Sequence, residues 1–176
     1  MKYLRQIFIW LCLHPATVLA LCSLTIIITV YSMQYIGGLS PCELCINQRY
    51  PYFGILVIST LAIFTSKKIY AILISLCGVG FIVSIGFAID HFGIENGWWT
   101  SSCVIKIENT TSISDLKKLI NSAPMTRCDE VAWSLLGMSL SGWNIIISAM
   151  LVIFAFYCSV KMLFSEVFRK NYNGKR

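Results

Sequence analysis

Residues 16–36 read ATVLALCSLTIIITVYSMQYI, a run without Asp, Glu, Lys or Arg. At 1.5 Å per residue such a helix spans the roughly 30 Å hydrocarbon core of a bilayer. Gly37-Gly38 and Pro41 break the run, and Cys42-Glu43-Leu44-Cys45 follows directly. A CxxC pair is a redox or metal-binding device. Set at the edge of a membrane span, it points to chemistry between thiols and something dissolved in lipid.

Working outward, the rest of the chain is equally apolar. Its 176 residues are 57% hydrophobic and 12% charged, with mean hydropathy +0.73. An ordinary soluble domain is about half apolar and about a quarter charged. A chain this short cannot hide so much apolar surface in a core, so most of it should face lipid. The pattern predicts an all-α membrane protein: one integral domain over residues 1–176, a four-transmembrane-helix bundle. The spans are expected at about 16–36, 50–66, 69–90 and 143–164, with outer loops 37–49 and 91–142. The first run is longer than the apolar stretch of a signal peptide and lacks a clear small-x-small cleavage site, so it reads as a retained helix.

Orientation follows from Lys and Arg. With both termini cytoplasmic, the inner side carries Lys2, Arg5, Lys67, Lys68, Lys161, Arg169, Lys170, Lys175 and Arg176. The outer side carries Arg49, Lys106, Lys117, Lys118 and Arg127 over much more loop. The net charge of +6 is thus mainly an inside-positive signal, and no basic patch on a soluble face supports nucleic-acid binding. Cys12, Cys22, Cys77 and Cys158 lie in or beside apolar runs and read as small buried hydrophobes. Cys42, Cys45, Cys103 and Cys128 fall in the two outer loops, on the oxidising side.

The second outer loop is too long for a mere connector. Ser112 to Asp115 offers N-caps, and Ile113, Leu116 and Ile120 share a helical face before Pro124. Asp129 is expected to cap a second helix from Glu130, with Trp133, Leu136, Leu140 and Trp143 forming one stripe. Such a helix either lies in the membrane interface or packs on the span tops. Trp98 and Trp99 read as interfacial belt residues. If bonded, Cys103 and Cys128 close a ring worth about 3 kcal/mol in the chain-entropy picture; the pair is either a staple or a disulfide that opens and closes.

No metal site is expected. A zinc site of Cys42, Cys45, Cys103 and Cys128 would lack a second CxxC knuckle, and zinc thiolates suit an oxidising space poorly. If helix begins near Cys45, Arg49 shares its face at i, i+4. There a guanidinium favours thiolate and is placed to polarise a ligand carbonyl; an interfacial anchor is the alternative for Arg49.

Residues 41–52, PCELCINQRYPY, resemble the first outer loop of the DsbB family of disulfide-bond formation proteins. His91 to Trp99, HFGIENGWW, resembles that family's third-span exit. Arg127 to Trp133 with Gly142-Trp143-Asn144 resembles its second-loop signature. The resemblance implies a thiol:quinone oxidoreductase of the bacterial inner membrane, with short helices in a long second periplasmic loop. It implies ubiquinone or menaquinone as cofactor and a periplasmic thioredoxin-fold thiol oxidase of the DsbA type as partner. By the same resemblance, Cys103 is attacked by the partner's thiolate, Cys128 exchanges with Cys42, and Cys45 is the thiolate beside the quinone. Arg49 helps bind and polarise the quinone, and His91 sits near it, its alternative being a polar cap on the third span. Gln48 stands where some members carry Glu. Three other readings remain: a paralogue serving another thiol partner, a non-catalytic membrane scaffold with structural disulfides, and a bundle of the vitamin K epoxide reductase type, which the Cys-x-x-Cys-x-x-x-Arg placement fits poorly.

Overall fold

The computed structural model describes residue 3, residues 11–99, residues 128–129 and residues 131–173. Cys103, the expected helix near 112–120 and the other features of residues 100–127 lie outside the described residues. Five helices and a two-stranded sheet are described: α1 (Pro15–Tyr35), α2 (Glu43–Asn47), α3 (Arg49–Ile63), α4 (Lys67–Glu95), β1 (Ser134–Leu135), β2 (Met138–Ser139) and α5 (Leu140–Asn173).

Three of these helices are long and apolar enough to cross a membrane, over Pro15–Tyr35, Ile69–Glu95 and Leu140–Phe164. The helix expected at 50–66 forms as α3 but has 15 residues and stops at Ile63. Pro15 opens α1, where its missing N–H costs nothing. At the other end the chain turns away through Gly38 at φ 66°, a conformation glycine adopts without strain.

The helices pack in sequence, α1 on α3, α3 on α4 and α4 on α5, with α1 also touching α5. Leu19, Ile55, Ile74, Phe81 and Ala155 form the shared core, each essentially inaccessible. Outward-facing positions are also apolar: Ile28, Val57 and Ile153 are 55%, 57% and 70% exposed. A surface this greasy on every side is the mark of a helix bundle solvated by lipid. The backbones of α3 and α4 come close at Gly80, where a Cβ would lie 2.7 Å from Ile55 Cγ1. Inside the bundle, the Tyr52 hydroxyl donates to Asn144 Oδ1 and lies 2.8 Å from Ser148 Oγ, and Ser84 Oγ is 3.4 Å from the same Asn144 oxygen.

Cys12, Cys77 and Cys158 are buried among apolar neighbours as expected, whereas Cys22 is half-buried. Cys12 and Cys158, far apart in sequence, stand with sulfurs 3.3 Å apart.

Two features differ from the sequence expectation. The third helix continues through Glu95 instead of stopping near residue 90, so His91 lies within it and is no cap. The helix expected from Glu130 is absent. Residues 134–139 form a hairpin, with Ser134 opposite Ser139 and Leu135 opposite Met138. Leu136 and Gly137 both take positive φ, 55° and 78°, the hand that two-residue hairpin turns favour. Helix starts only at Leu140, where Ser139 Oγ accepts from the Gly142 backbone N–H at 3.3 Å as an N-cap. The Trp133, Leu136, Leu140, Trp143 stripe therefore belongs to two kinds of structure, and Leu136 is 87% exposed at the turn.

Candidate functional site

The site is assembled from the short segment between α1 and α3. Pro41 leads into Cys42, whose extended backbone and side chain cap α2: Cys42 Sγ accepts from the Cys45 backbone N–H at 3.2 Å. One helical turn then brings the two sulfurs to 2.7 Å. The sequence spacing does this directly, since a cap residue and the third helical residue lie on one side of the first turn.

The two cysteines are not equivalent. Cys42 is 4% exposed and packs with Ile94 and Cys128, which is 2% exposed, while Leu44 and Cys45 flank the cluster. Three of the four outer-loop cysteines thus meet in one buried cluster. Cys45 instead lines a cavity of about 370 Å³ together with Gln34, Arg49, Tyr52, His91 and Asn144. Cys42 does not line it.

Their protons differ as well. The Cys42 thiol is pushed up to about 12, first by its hydrogen bond to Cys45 and then by burial, against the opposing His91. The Cys45 thiol is held below its ordinary value, chiefly by the hydrogen bond from Cys42, against burial and the neighbouring Cys128 and Glu95. The hydrogen bond runs from the Cys42 thiol to the Cys45 sulfur, so Cys45 is the readier of the two to ionise. Thiolate, not thiol, is the nucleophile.

Arg49 shares the cavity with Cys45, as their spacing predicted, but it is not what holds the thiolate. Its guanidinium donates to Gln34 Oε1 at 2.6 Å and lies over the Tyr31 ring, 4.8 Å from the centroid. This tether keeps the cation at the cavity wall.

His91 reaches the site from α4. Its Nε2 is 3.6 Å from Cys42 Sγ, and its Nδ1 is 3.0 Å from Gln48 Nε2. Gln48 in turn bonds Asn144 through Oε1 at 3.2 Å. Behind His91 stands Glu95, at 3.5 Å from Nε2, itself bonded by Ser139 and Ser141. Sequence reasoning missed Glu95, Ser139 and Ser141. The only signal for Glu95 was its i, i+4 spacing from His91; nothing local marked the two serines.

Cys42, Cys45 and His91 bring donor atoms within 4.8 Å of one another. Two of the three are thiols a single turn apart, close enough to be joined as a disulfide, and the cluster reads as a redox pair rather than a metal cage. The cavity has the volume of a small-molecule site, with apolar residues such as Ile26, Val30 and Ile147 and the polar Arg49, His91 and Cys45 in its lining.

A largely buried cysteine pair with its sulfurs in contact, set at a cavity among long apolar helices, defines a membrane-embedded dithiol oxidoreductase. The chain belongs to the DsbB family: the family model described as Disulfide bond formation protein DsbB matches residues 14–158. It is 28% identical over 158 residues to Disulfide bond formation protein B of Verminephrobacter eiseniae, covering 81% of this chain and 84% of that one. The corresponding Haemophilus influenzae protein is 28% identical over 158 residues, covering 86% and 85%. An uncharacterized protein of Rickettsia prowazekii is 30% identical over 144 residues, covering 78% and 81%. No solved structure matches the chain significantly.

Proposed function

We propose that this protein reoxidises a periplasmic thioredoxin-fold dithiol oxidase of the DsbA type and passes the electrons to a membrane quinone. The observation that carries this reading is the division of the CxxC pair, with Cys42 packed against Cys128 and Cys45 on the cavity. A disulfide arriving from the second loop meets Cys42, and a lipid-soluble acceptor meets Cys45.

In this reading the partner's thiolate attacks the Cys103–Cys128 disulfide at Cys103. The freed Cys128 attacks Cys42, and the Cys42–Cys45 bond opens with Cys45 leaving as thiolate. Cys45 leaves on the cavity side, where Arg49 also lines the wall. The partner's second thiol then forms the partner's own disulfide and frees Cys103, which attacks Cys128, restores the Cys103–Cys128 bond and leaves the Cys42–Cys45 pair reduced. When bound, the quinone supplies a two-electron, two-proton sink. Arg49, fixed by Gln34 and Tyr31, holds it by a carbonyl oxygen, and His91 and Tyr52 wall the same space. Ubiquinone and menaquinone both meet these requirements.

The reading includes a four-span topology in the bacterial inner membrane with both termini cytoplasmic. α3 is then the short second of the four spans. That places α2, His91 and the hairpin on the outer side together.

The test mixes purified protein, a water-soluble ubiquinone or menaquinone analogue and a reduced thioredoxin-fold partner, and follows quinol formation. Cys45→Ala and Cys103→Ala each abolish turnover, and Arg49→Ala raises the quinone KM about tenfold, the loss of one charged hydrogen bond. Turnover that survives either cysteine change refutes the path.

A further inference from the structure

Glu95 lies on the last turn of α4, one turn beyond His91, with a side chain only 6% exposed. A charge at that depth needs hydrogen bonds or a partner. Its carboxylate has them. Ser139 Oγ donates to Oε2 at 2.5 Å, Ser141 Oγ donates to the same oxygen, and His91 Nε2 stands 3.5 Å from Oε1. A carboxylate only accepts, and a hydroxyl and a ring N–H donate. The exchange path described above makes no use of this residue.

The ring hydrogen of His91 is fixed by the network on its other side. Gln48 Nε2 is directed at the Phe87 carbonyl at 3.5 Å and at His91 Nδ1 at 3.0 Å, while Gln48 Oε1 accepts from Asn144 Nδ2 at 3.2 Å. An amide N–H facing Nδ1 makes that nitrogen the acceptor, which assigns the ring hydrogen to Nε2. That single N–H then lies between two acceptors, Cys42 Sγ at 3.6 Å and Glu95 Oε1 at 3.5 Å.

We propose that Glu95 sets the redox balance of the Cys42–Cys45 couple, by its buried charge and by its claim on the one His91 N–H. Reduction of the couple breaks the S–S bond, takes two electrons and one proton, and leaves a thiol at Cys42 and a thiolate at Cys45. Oxidation forms the bond again, gives the two electrons to the quinone and releases the Cys42 proton. A fixed negative charge behind the sulfurs disfavours the thiolate and favours the disulfide. Glu95 Oε1 also competes with the Cys42 sulfur for the His91 N–H and weakens that hydrogen bond. Both effects push electrons off the pair. The other ionisable groups facing this corner are Cys42 and Cys45 from the α2 segment, Cys128 from the second loop, and Asp90 and His91 from α4. Glu95 is a positioning residue, acting on the sulfurs by its charge and through His91.

This proposal rests on thiol exchange at Cys42 and Cys45, whatever the final electron acceptor. Full-length protein in detergent is equilibrated with graded dithiothreitol buffers, and the redox state of Cys42 and Cys45 is read by differential alkylation and peptide mass spectrometry. Glu95→Gln moves the equilibrium about tenfold toward the reduced pair, equal to about 30 mV for a two-electron couple, and Glu95→Asp restores it in part. Ser141→Ala removes one donor, leaves the charge less compensated, and moves the equilibrium the opposite way. That variant carries the test if Glu95→Gln does not fold. A residue with only a structural role does not produce opposite signs. A Glu95→Gln equilibrium within twofold of wild type, or both variants shifting in the same direction, overturns the proposal. Absence of quinol formation by the wild-type protein would instead overturn the quinone reading and leave this equilibrium measurable.

Discussion

Replacing Cys42 by alanine should return Cys45 to the behaviour of an ordinary or worse than ordinary thiol. The largest influence lowering Cys45 is the hydrogen bond it receives from the Cys42 thiol. Alanine deletes that donor and the sulfur acceptor that caps α2 at the Cys45 N–H. Burial and the neighbouring Glu95 and Cys128 remain, and all three push Cys45 upward. A hydrogen bond to a charged group contributes about 1.5–3 kcal/mol. At 1.36 kcal/mol per factor of ten, this is about a ten- to hundredfold change in the thiolate fraction. The sign is fixed: a raised thiol pKa means less thiolate at a given pH, so reactivity at pH 7 falls about ten- to a hundredfold. The assay is the rate of iodoacetamide labelling at Cys45 against pH, read by peptide mass spectrometry on reduced protein. Cys42→Ser keeps a donor of similar size and should retain most of the wild-type profile. In the wild-type protein Cys45 should label well before Cys42, whose thiol lies near 12. If Cys45 in Cys42→Ala titrates as in wild type, the thiolate is held by something other than its neighbour, and the account of unequal sulfurs fails.

Two further outcomes test the scaffold. Gly80→Ala forces a methyl to within 2.7 Å of Ile55 Cγ1 where α3 and α4 meet; overpacking of this kind costs about 1–3 kcal/mol, visible as a lower Tm of the detergent-solubilised protein and partly relieved by Ile55→Ala. Gly137→Val places a β-branched residue at φ 78°, a strain of about 1–2 kcal/mol, so the hairpin should open and protease cleavage at the turn should accelerate while the apolar helices stay protected.

Three of the four expected spans and the CxxC turn were legible because their signals are local. Length without charge marks a crossing helix, and Pro41-Cys42-Glu43-Leu44-Cys45 carries its own cap and turn. The hairpin was not legible. Trp133, Leu136, Leu140 and Trp143 fit a helical period, and the feature that defeats it is a backbone conformation, positive φ at Leu136 as well as at Gly137. Leucine gives no warning of that. Arg49 was read half correctly: its spacing put it beside Cys45, but Gln34 and Tyr31, which take up its guanidinium, belong to another helix. Glu95 shows the same limit. Its partners Ser139 and Ser141 come from the far side of the second loop, and only the folded chain brings them together.

The Tyr52, Asn144, Ser148 and Ser84 cluster has a consequence for assembly. In lipid, apolar helices gain little from each other by hydrophobicity, since acyl chains are as apolar as leucine. Many slid or rotated pairings of α3, α4 and α5 would therefore be nearly isoenergetic. The cluster ties one residue of α3, one of α4 and two of α5 at a single depth. A slip of one helical turn, about 5.4 Å, separates these groups and leaves them bare in hydrocarbon. It works as an index mark that only the correct alignment of three packed helices can match. The same alignment brings Gln48, bonded to Asn144, up against His91, so the order in which the bundle locks decides when the thiol site comes into being.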